Sequence, residues 1–162
     1  KKLYIISQRS KVQVASTAPQ LARVSWQMSC GGECLPTHFT PPRSRSLKAL
    51  AEFIGGCGAG RIYAAIQPDG KITPCVFLPL IIGDLRVSKF QDIWNYNPIL
   101  RSLRDKDLLK HPCGTCLYKY ICGGCRARAY GYFKDYLAAD PGCLKGWLVG
   151  KGLKTLDIQA ST

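Results

Sequence analysis

The densest run of cysteine in this sequence is Cys113-Gly-Thr-Cys116-Leu-Tyr-Lys-Tyr-Ile-Cys122-Gly-Gly-Cys125. Cys143 follows after seventeen residues, so five cysteines fall within thirty-one residues. Upstream, twelve residues separate Cys57 from Gly70, and four separate Gly70 from Cys75. Many thiols at short, turn-compatible spacings are typical of the soft thiolate cages that hold iron–sulfur centres. The sequence therefore predicts a carrier of metal clusters.

A disulfide framework is the main alternative for a chain with nine cysteines. Nine is an odd number, and no secretory signal is visible at the N-terminus. The pairs Cys113/Cys116 and Cys122/Cys125 are too close in sequence to favour unstrained mutual bridges. A reducing, cytoplasmic compartment fits these thiols better.

The length of the chain fits one domain, or one small domain with a ragged extension. The chain has 162 residues, of which 46% are hydrophobic, which is enough for a folded core. No run of eighteen apolar residues occurs, so we expect no membrane span. The first residue is Lys1, and we expect the chain to be part of a longer protein.

The formal charge of +13 raises the question of nucleic acid. Much of the excess lies in residues 1–50, which hold eight Lys or Arg residues against Glu33 alone, in a segment with little regular pattern. Thiolates bound to a cluster would also add negative charge that the formal count omits. We therefore expect a basic solvated or docking surface, and no nucleic-acid partner.

Local signals predict a small α+β module. Two apolar segments, 61–66 and 71–77, flank the turn 67–70 and predict a β-hairpin, with a third short strand at 82–87. Short helices are predicted from Ser88 through Trp94, from Pro98 to about Lys110, and from Cys125 to about Leu137. Further predictions are strands at 3–6 and 12–14 and a helix from Ser46 to Ile54. Long cluster-binding loops connect the rest.

The ordered set C-x12-G-x4-C, C-x2-C-x5-C-x2-C and x17-C resembles the SPASM domain, the C-terminal auxiliary-cluster module of radical S-adenosylmethionine enzymes. The flanking segments 55–60, 66–75 and 122–130 agree with it. The family usually has three residues between the last pair, Cys122 and Cys125, where this chain has two. The resemblance implies three parts. Residues 1–54 would be a remnant of, or a linker from, a missing upstream catalytic domain. Residues 55–144 would form the cluster domain, and residues 145–162 a tail.

The resemblance also implies two [4Fe–4S] clusters with interleaved ligands. Cys57, Cys75 and Cys125 would hold one cluster, and the other would take Cys113, Cys116, Cys122 and Cys143. The first set lacks a fourth thiolate. Either one iron is open to substrate, or one of two extra candidates, Cys30 and Cys34, completes the set.

The radical-generating motif C-x3-C-x2-C is missing, because Thr37 stands where its third cysteine would be. We therefore expect this chain not to be catalytic alone, with S-adenosylmethionine bound only in the missing upstream barrel. The implied role is to relay electrons or to bind substrate during modification of a peptide or a tetrapyrrole-like cofactor precursor.

Two further hypotheses stay open at this point. The close cysteine pairs could form a zinc-binding interaction module with a basic surface, or the chain could be a degenerate fragment without a cofactor. Arg126 and Arg128 could stabilise anionic clusters, grip a substrate carboxylate or simply face solvent.

Overall fold

A computed structural model of the chain describes residues 1–11, 14, 16–32 and 56–144. Cys34, the helix predicted from Ser46 to Ile54, and the tail at 145–162 lie outside the described residues, as does most of the strand predicted at 12–14.

The sheet has three short antiparallel strands, β1 (Ala65–Ile66), β2 (Lys71–Thr73) and β3 (Gly83–Asp84), in the order β1-β2-β3. The predicted hairpin and third strand are confirmed, with Gly70 in the turn at a φ of 79°. The strands are shorter than predicted, because Pro74 follows β2 at once and has no N–H to donate to a neighbour.

Two helices in the described residues pack beside the sheet, α3 (Phe90–Tyr96) and α4 (Pro98–Arg104). The side chain of Asn97 caps α4 by accepting from the N–H groups of Ile99 and Leu100. The helix ends six residues before the predicted end at Lys110, because Asp105 is extended and its side chain caps a separate 3-10 turn, Lys106–Leu108.

The helix α5 (Arg126–Phe133) begins as predicted, directly after Cys125. It ends four residues before the predicted end near Leu137. The next residue, Lys134, adopts the left-handed conformation with a φ of 55°, which ends the helical run.

The N-terminal segment forms two helices, α1 (Lys2–Arg9) and α2 (Gln20–Met28). The strand predicted at 3–6 is therefore wrong. Tyr and Ile favour strands only weakly, and packing on a neighbouring element overrides that preference. Here Tyr4 is buried and α1 packs against α2.

The main core lies between the sheet and α4, where Ile72, Leu78 and Leu100 are fully buried. Cys57 and Cys75 belong to the same buried cluster, so the cysteine positions are built into the core. Helices, a small antiparallel sheet and long cysteine-bearing loops confirm the predicted α+β module. None of the helices in the described residues is long and apolar enough to cross a membrane.

Candidate metal centre

Three cysteines, Cys57, Cys75 and Cys125, line one cavity of about 350 Å³ and are called the first thiol group here. Cys57 and Cys75 are buried, and Cys125 is half-buried. Residues 57 and 75 flank the hairpin, whereas residue 125 directly precedes α5, so the fold brings together residues far apart in sequence. Other parts of the cavity wall are Tyr63 and Arg128.

Backbone contacts fix each member of the first thiol group. The N–H of Cys57 donates to the carbonyl oxygen of Cys122 at 3.2 Å. The N–H of Phe77 donates to Sγ of Cys75 at 3.4 Å. Cys125 is the N-cap of α5, and its own N–H donates to Oδ2 of Asp140 at 2.8 Å. Exposed N–H groups at the start of a helix favour the thiolate form of a cysteine.

The hydroxyl of Tyr63 lies among the three thiols of this group. It donates to Sγ of Cys75 at 3.7 Å. Burial, followed by the negative charge of the thiolates of Cys57, Cys75 and Cys125, raises the pKa of the Tyr63 phenol well above its ordinary value. Tyr63 therefore keeps its proton at neutral pH and remains a hydrogen-bond donor to sulfur.

The second thiol group comprises Cys113, Cys116, Cys122 and Cys143. The charges of Cys113 and Cys143 both act on Cys122, which places these three thiols in one neighbourhood. Cys116 adjoins them through a turn in which its N–H donates to the carbonyl oxygen of Cys113 at 3.2 Å.

Backbone N–H groups also point at the second thiol group. The N–H of Asp140 donates to Sγ of Cys113, and the N–H of Tyr118 donates to Sγ of Cys116, each at 3.4 Å. Hydrogen bonds of this kind stabilise cluster-bound sulfur and help to set the potential of a cluster.

Two arginines bring positive charge to the second thiol group. Arg126 is buried, and its Nη2 lies 3.9 Å from Sγ of Cys113. Arg23, on α2, places Nη1 3.7 Å from Sγ of Cys143. Positive charge at this end of the site stabilises an anionic group held there.

An ion pair between the half-buried Arg128 and the buried Asp140 joins the two thiol groups. Arg128 donates from Nε and Nη2 to the two carboxylate oxygens of Asp140, at 2.6 and 2.7 Å. Asp140 also accepts from the N–H of Cys125 at 2.8 Å, while its own N–H donates to Cys113. Burial raises the pKa of Asp140, but hydrogen bonds from Arg128, Cys125 and Gly142 outweigh it and leave that pKa below its ordinary value.

Buried thiols of both groups resist ionisation in the metal-free chain. Burial raises the pKa of Cys122 to about 11, and burial also raises the pKa of Cys113 and of Cys125. At neutral pH these thiols keep their protons, so a metal centre must displace protons when it assembles.

The donor set fits an anionic thiolate-bound cluster better than a single ion. Arg23 Nε is buried without a hydrogen-bond partner among the described residues, and an anionic group held by the adjacent thiols would give it one. Four thiolates around one zinc ion lie about 3.8 Å apart, given Zn–S bonds of about 2.3 Å. Within the described ranges, no group of three or more His, Cys, Asp or Glu converges closely enough to hold a metal ion.

Of the two extra candidate ligands, only Cys30 is described. It follows α2, is exposed and is not among the residues that line the cavity. All seven cysteines of the two thiol groups lie in the described region, and how they divide between clusters stays a prediction.

Sequence reasoning missed Tyr63, Arg23 and the role of Asp140. Arg23 and Cys143 are 120 residues apart, so no local pattern links them. Tyr63 lies twelve residues before Cys75. Its position could have been inferred from the sequence, because the predicted hairpin that brings Cys57 towards Cys75 also contains residue 63. Of the two arginines weighed, Arg128 forms the ion pair with Asp140 and Arg126 adjoins Cys113.

Comparison with known proteins gives a family for this cysteine pattern. Residues 57–117 match the model of SPASM, described as an iron–sulfur cluster-binding domain. The chain is 32% identical over 151 residues to the AdoMet-dependent heme synthase of Methanosarcina barkeri, covering 87% of this chain and 39% of that protein. It is 38% identical over 131 residues to that of Nitratidesulfovibrio vulgaris, covering 75% of this chain and 36% of that protein.

A second class of relatives matches a shorter part of the chain. The PqqA peptide cyclase of Rhodopseudomonas palustris is 31% identical over 111 residues, covering 65% of this chain and 29% of that protein. The chain thus spans well under half the length of these curated relatives.

Proposed function

Because the chain belongs to the SPASM family of iron–sulfur cluster-binding domains, we propose that it is the auxiliary-cluster part of a radical S-adenosylmethionine enzyme. Its role is to relay electrons to or from a radical intermediate, or to bind the substrate, while the missing upstream barrel binds S-adenosylmethionine. The observation that carries this proposal is the convergence of Cys57, Cys75 and Cys125 on one cavity beside a separate neighbourhood of thiols.

The proposed cofactors are two [4Fe–4S] clusters, which supply one-electron transfer when bound. The first thiol group holds one cluster and the second thiol group holds the other. The chain's own residues contribute protonated donors to sulfur, Tyr63 at the first group and backbone N–H groups at the second. The ion pair of Arg128 and Asp140 fixes the two groups relative to each other.

The proposed substrate is a tetrapyrrole-like precursor or a peptide. The heme synthases match 75% or more of this chain, whereas the matches to the peptide cyclases cover 48–65% of it, which favours the tetrapyrrole. In the proposed layout, residues 1–54 connect to the upstream domain, 55–144 hold the clusters and 145–162 form a tail. A cytoplasmic location accords with the ligating thiols and is part of the proposal.

The test is to count iron, acid-labile sulfide and zinc per chain after anaerobic reconstitution, with an absorption spectrum of the same sample. We expect about eight irons and eight sulfides and a broad band near about 400 nm. About four irons would contradict the two-cluster assignment. A colourless chain that binds zinc and does not exchange it for iron would overturn the relay function in favour of the zinc-binding module.

A further inference from the structure

A cation that contacts Cys143 comes from α2, outside the segment that carries the seven cysteines. Arg23 Nη1 lies 3.7 Å from Sγ of Cys143, and its charge also acts on Cys122. We infer that Arg23 sets the reduction potential of the cluster at the second thiol group. This inference rests on the proposed function and assigns to the N-terminal helix a part in that site.

Arg23 is half-buried, and none of the ion pairs in the described residues involves it. Its Nε is buried without a hydrogen-bond partner. A polar atom that is buried without a partner costs free energy, and a negative group beside the guanidinium offsets that cost. The negatively charged cluster and its thiolates provide that negative group.

The neighbours of Arg23 on α2 hold the helix against the cysteine segment. Ala22 is fully buried and packs with Ile121, the residue before Cys122. Gln20 donates to Asp140 at 2.7 Å, and Gln27 donates to the Tyr118 hydroxyl at 3.1 Å. Contacts on both sides of Arg23 therefore fix the position of its guanidinium relative to the thiols.

Two of the other arginines near the thiols have different partners. Arg126 donates from Nη1 to the carbonyl oxygens of Tyr136 and Ala138, so it holds the chain segment after α5. Arg128 forms a two-point ion pair with Asp140. Arg23 differs from both, because among the described residues its guanidinium has a hydrogen-bond contact only with the sulfur of Cys143.

Reduction adds one negative charge to a cluster. A fixed positive charge next to the thiolates stabilises the reduced state more than the oxidised state, which raises the reduction potential. Removing the charge at residue 23 should therefore make the second cluster harder to reduce, while the first cluster is unaffected.

The experiment is an EPR-monitored redox titration of the anaerobically reconstituted full chain, with iron counted in each sample. We compare the unchanged chain with Arg23→Gln, Arg23→Lys and the control Arg9→Gln, which removes an exposed charge from α1. We expect Arg23→Gln to lower one midpoint by at least the equivalent of a tenfold change in the reduction equilibrium, about 59 mV for one electron. Arg23→Lys should restore most of the shift, and Arg9→Gln should cause none.

A Cys57→Ser background identifies the cluster that responds, since only the second thiol group is then complete. The shift caused by Arg23→Gln should persist there. Unchanged midpoint potentials in a fully loaded Arg23→Gln chain would overturn the inference. It would also be overturned if Arg23→Gln lost iron, Arg23→Lys restored the iron, and neither variant changed a midpoint potential. Failure of the proposed function is distinguishable, because the unchanged chain would then show no iron–sulfur signal at all.

Discussion

At the scale of single residues, the first thiol group is one ligand short. Three cysteines line its cavity, and a [4Fe–4S] cluster takes four ligands. Cys30 is exposed after α2 and is absent from the cavity wall, so the structure gives it no place among the ligands. The proposed first cluster thus has one iron that no cysteine of the described residues binds.

We predict that Cys57→Ser removes one cluster and leaves the other. Serine is a hard oxygen donor that replaces the soft thiolate poorly, so iron should fall from about eight to about four per chain. The matched control is Cys30→Ser, which should keep all the iron. The measurement is iron and sulfide per chain after anaerobic reconstitution. A loss of iron from the Cys30→Ser chain would show that Cys30 is a ligand.

The sequence names seven candidate ligand cysteines, whose ligand roles stay a prediction, whereas it does not predict the residues that surround the thiols. Cysteine spacing is a local property, and all seven cysteines lie in or beside the two sites described here. Contacts such as Gln20 with Asp140 join residues 120 positions apart and depend on how elements pack. A single sequence holds no signal for such contacts, because neither residue type is unusual by itself.

At the scale of elements, the loop between Cys122 and Cys125 has no room for a side chain at Gly124. Gly123 and Gly124 have φ values of 64° and 67°, in the region that favours glycine. A Cβ atom on Gly124 would lie 2.6 Å from Cβ of Asp140 and 3.2 Å from Sγ of Cys113. The loop therefore brings backbone directly against Cys113 of the second thiol group and against Asp140.

We predict that Gly124→Ala destabilises the chain and lowers the iron content of both sites. An alanine at this φ costs about 1–2 kcal/mol, and the contact with Asp140 adds to that cost. Gly131→Ala is the control, since Gly131 lies within α5 and a Cβ there meets nothing within 4 Å. That control should gain up to about 1 kcal/mol of stability. The measurement is chemical unfolding of the loaded chains, and equal stability of the two variants would contradict the prediction.

Local signals explain which elements could be predicted. The hairpin turn and the start of α4 depend on Gly70 and on the Asn97–Pro98 pair, whose conformations are set within a few residues. The helical state of residues 3–6 depends on packing against α2, and the sequence there favours a strand instead. Helix ends at Arg104 and Phe133 were placed too late, because the residue after each leaves the helical region without a proline or glycine.

At the scale of the whole molecule, the cysteines are structural as well as functional. Cys57 and Cys75 lie in the main buried cluster with Ile72 and Leu78, and Cys113 and Cys122 are buried nearby. The sheet comprises only seven strand residues, so little regular backbone pairing supports the cysteine-bearing loops. Binding energy at the two metal sites should therefore contribute directly to folding.

We predict that chelation of iron loosens the chain. Trypsin should then cut within the cysteine segment, where Lys119 and Arg126 become accessible as the loop opens, and the denaturant midpoint should fall. The measurement is limited proteolysis with mass spectrometry under anaerobic conditions. A sample given the chelator already saturated with iron serves as the control. An identical cleavage pattern in the two samples would show that the fold is independent of its metal.

Two connections between the proposed sites bear on oxidative damage. One is the hydrogen bond from the N–H of Cys57 to the carbonyl oxygen of Cys122, and the other is the short loop from Cys122 to Cys125. In the proposed assignment, each of these two contacts joins a ligand of one cluster to a ligand of the other. An oxidant that destroys one cluster frees a segment on which the other depends. Loss of one cluster should therefore lead to loss of the other. Molecules should then hold either both clusters or neither, and repair must rebuild both together.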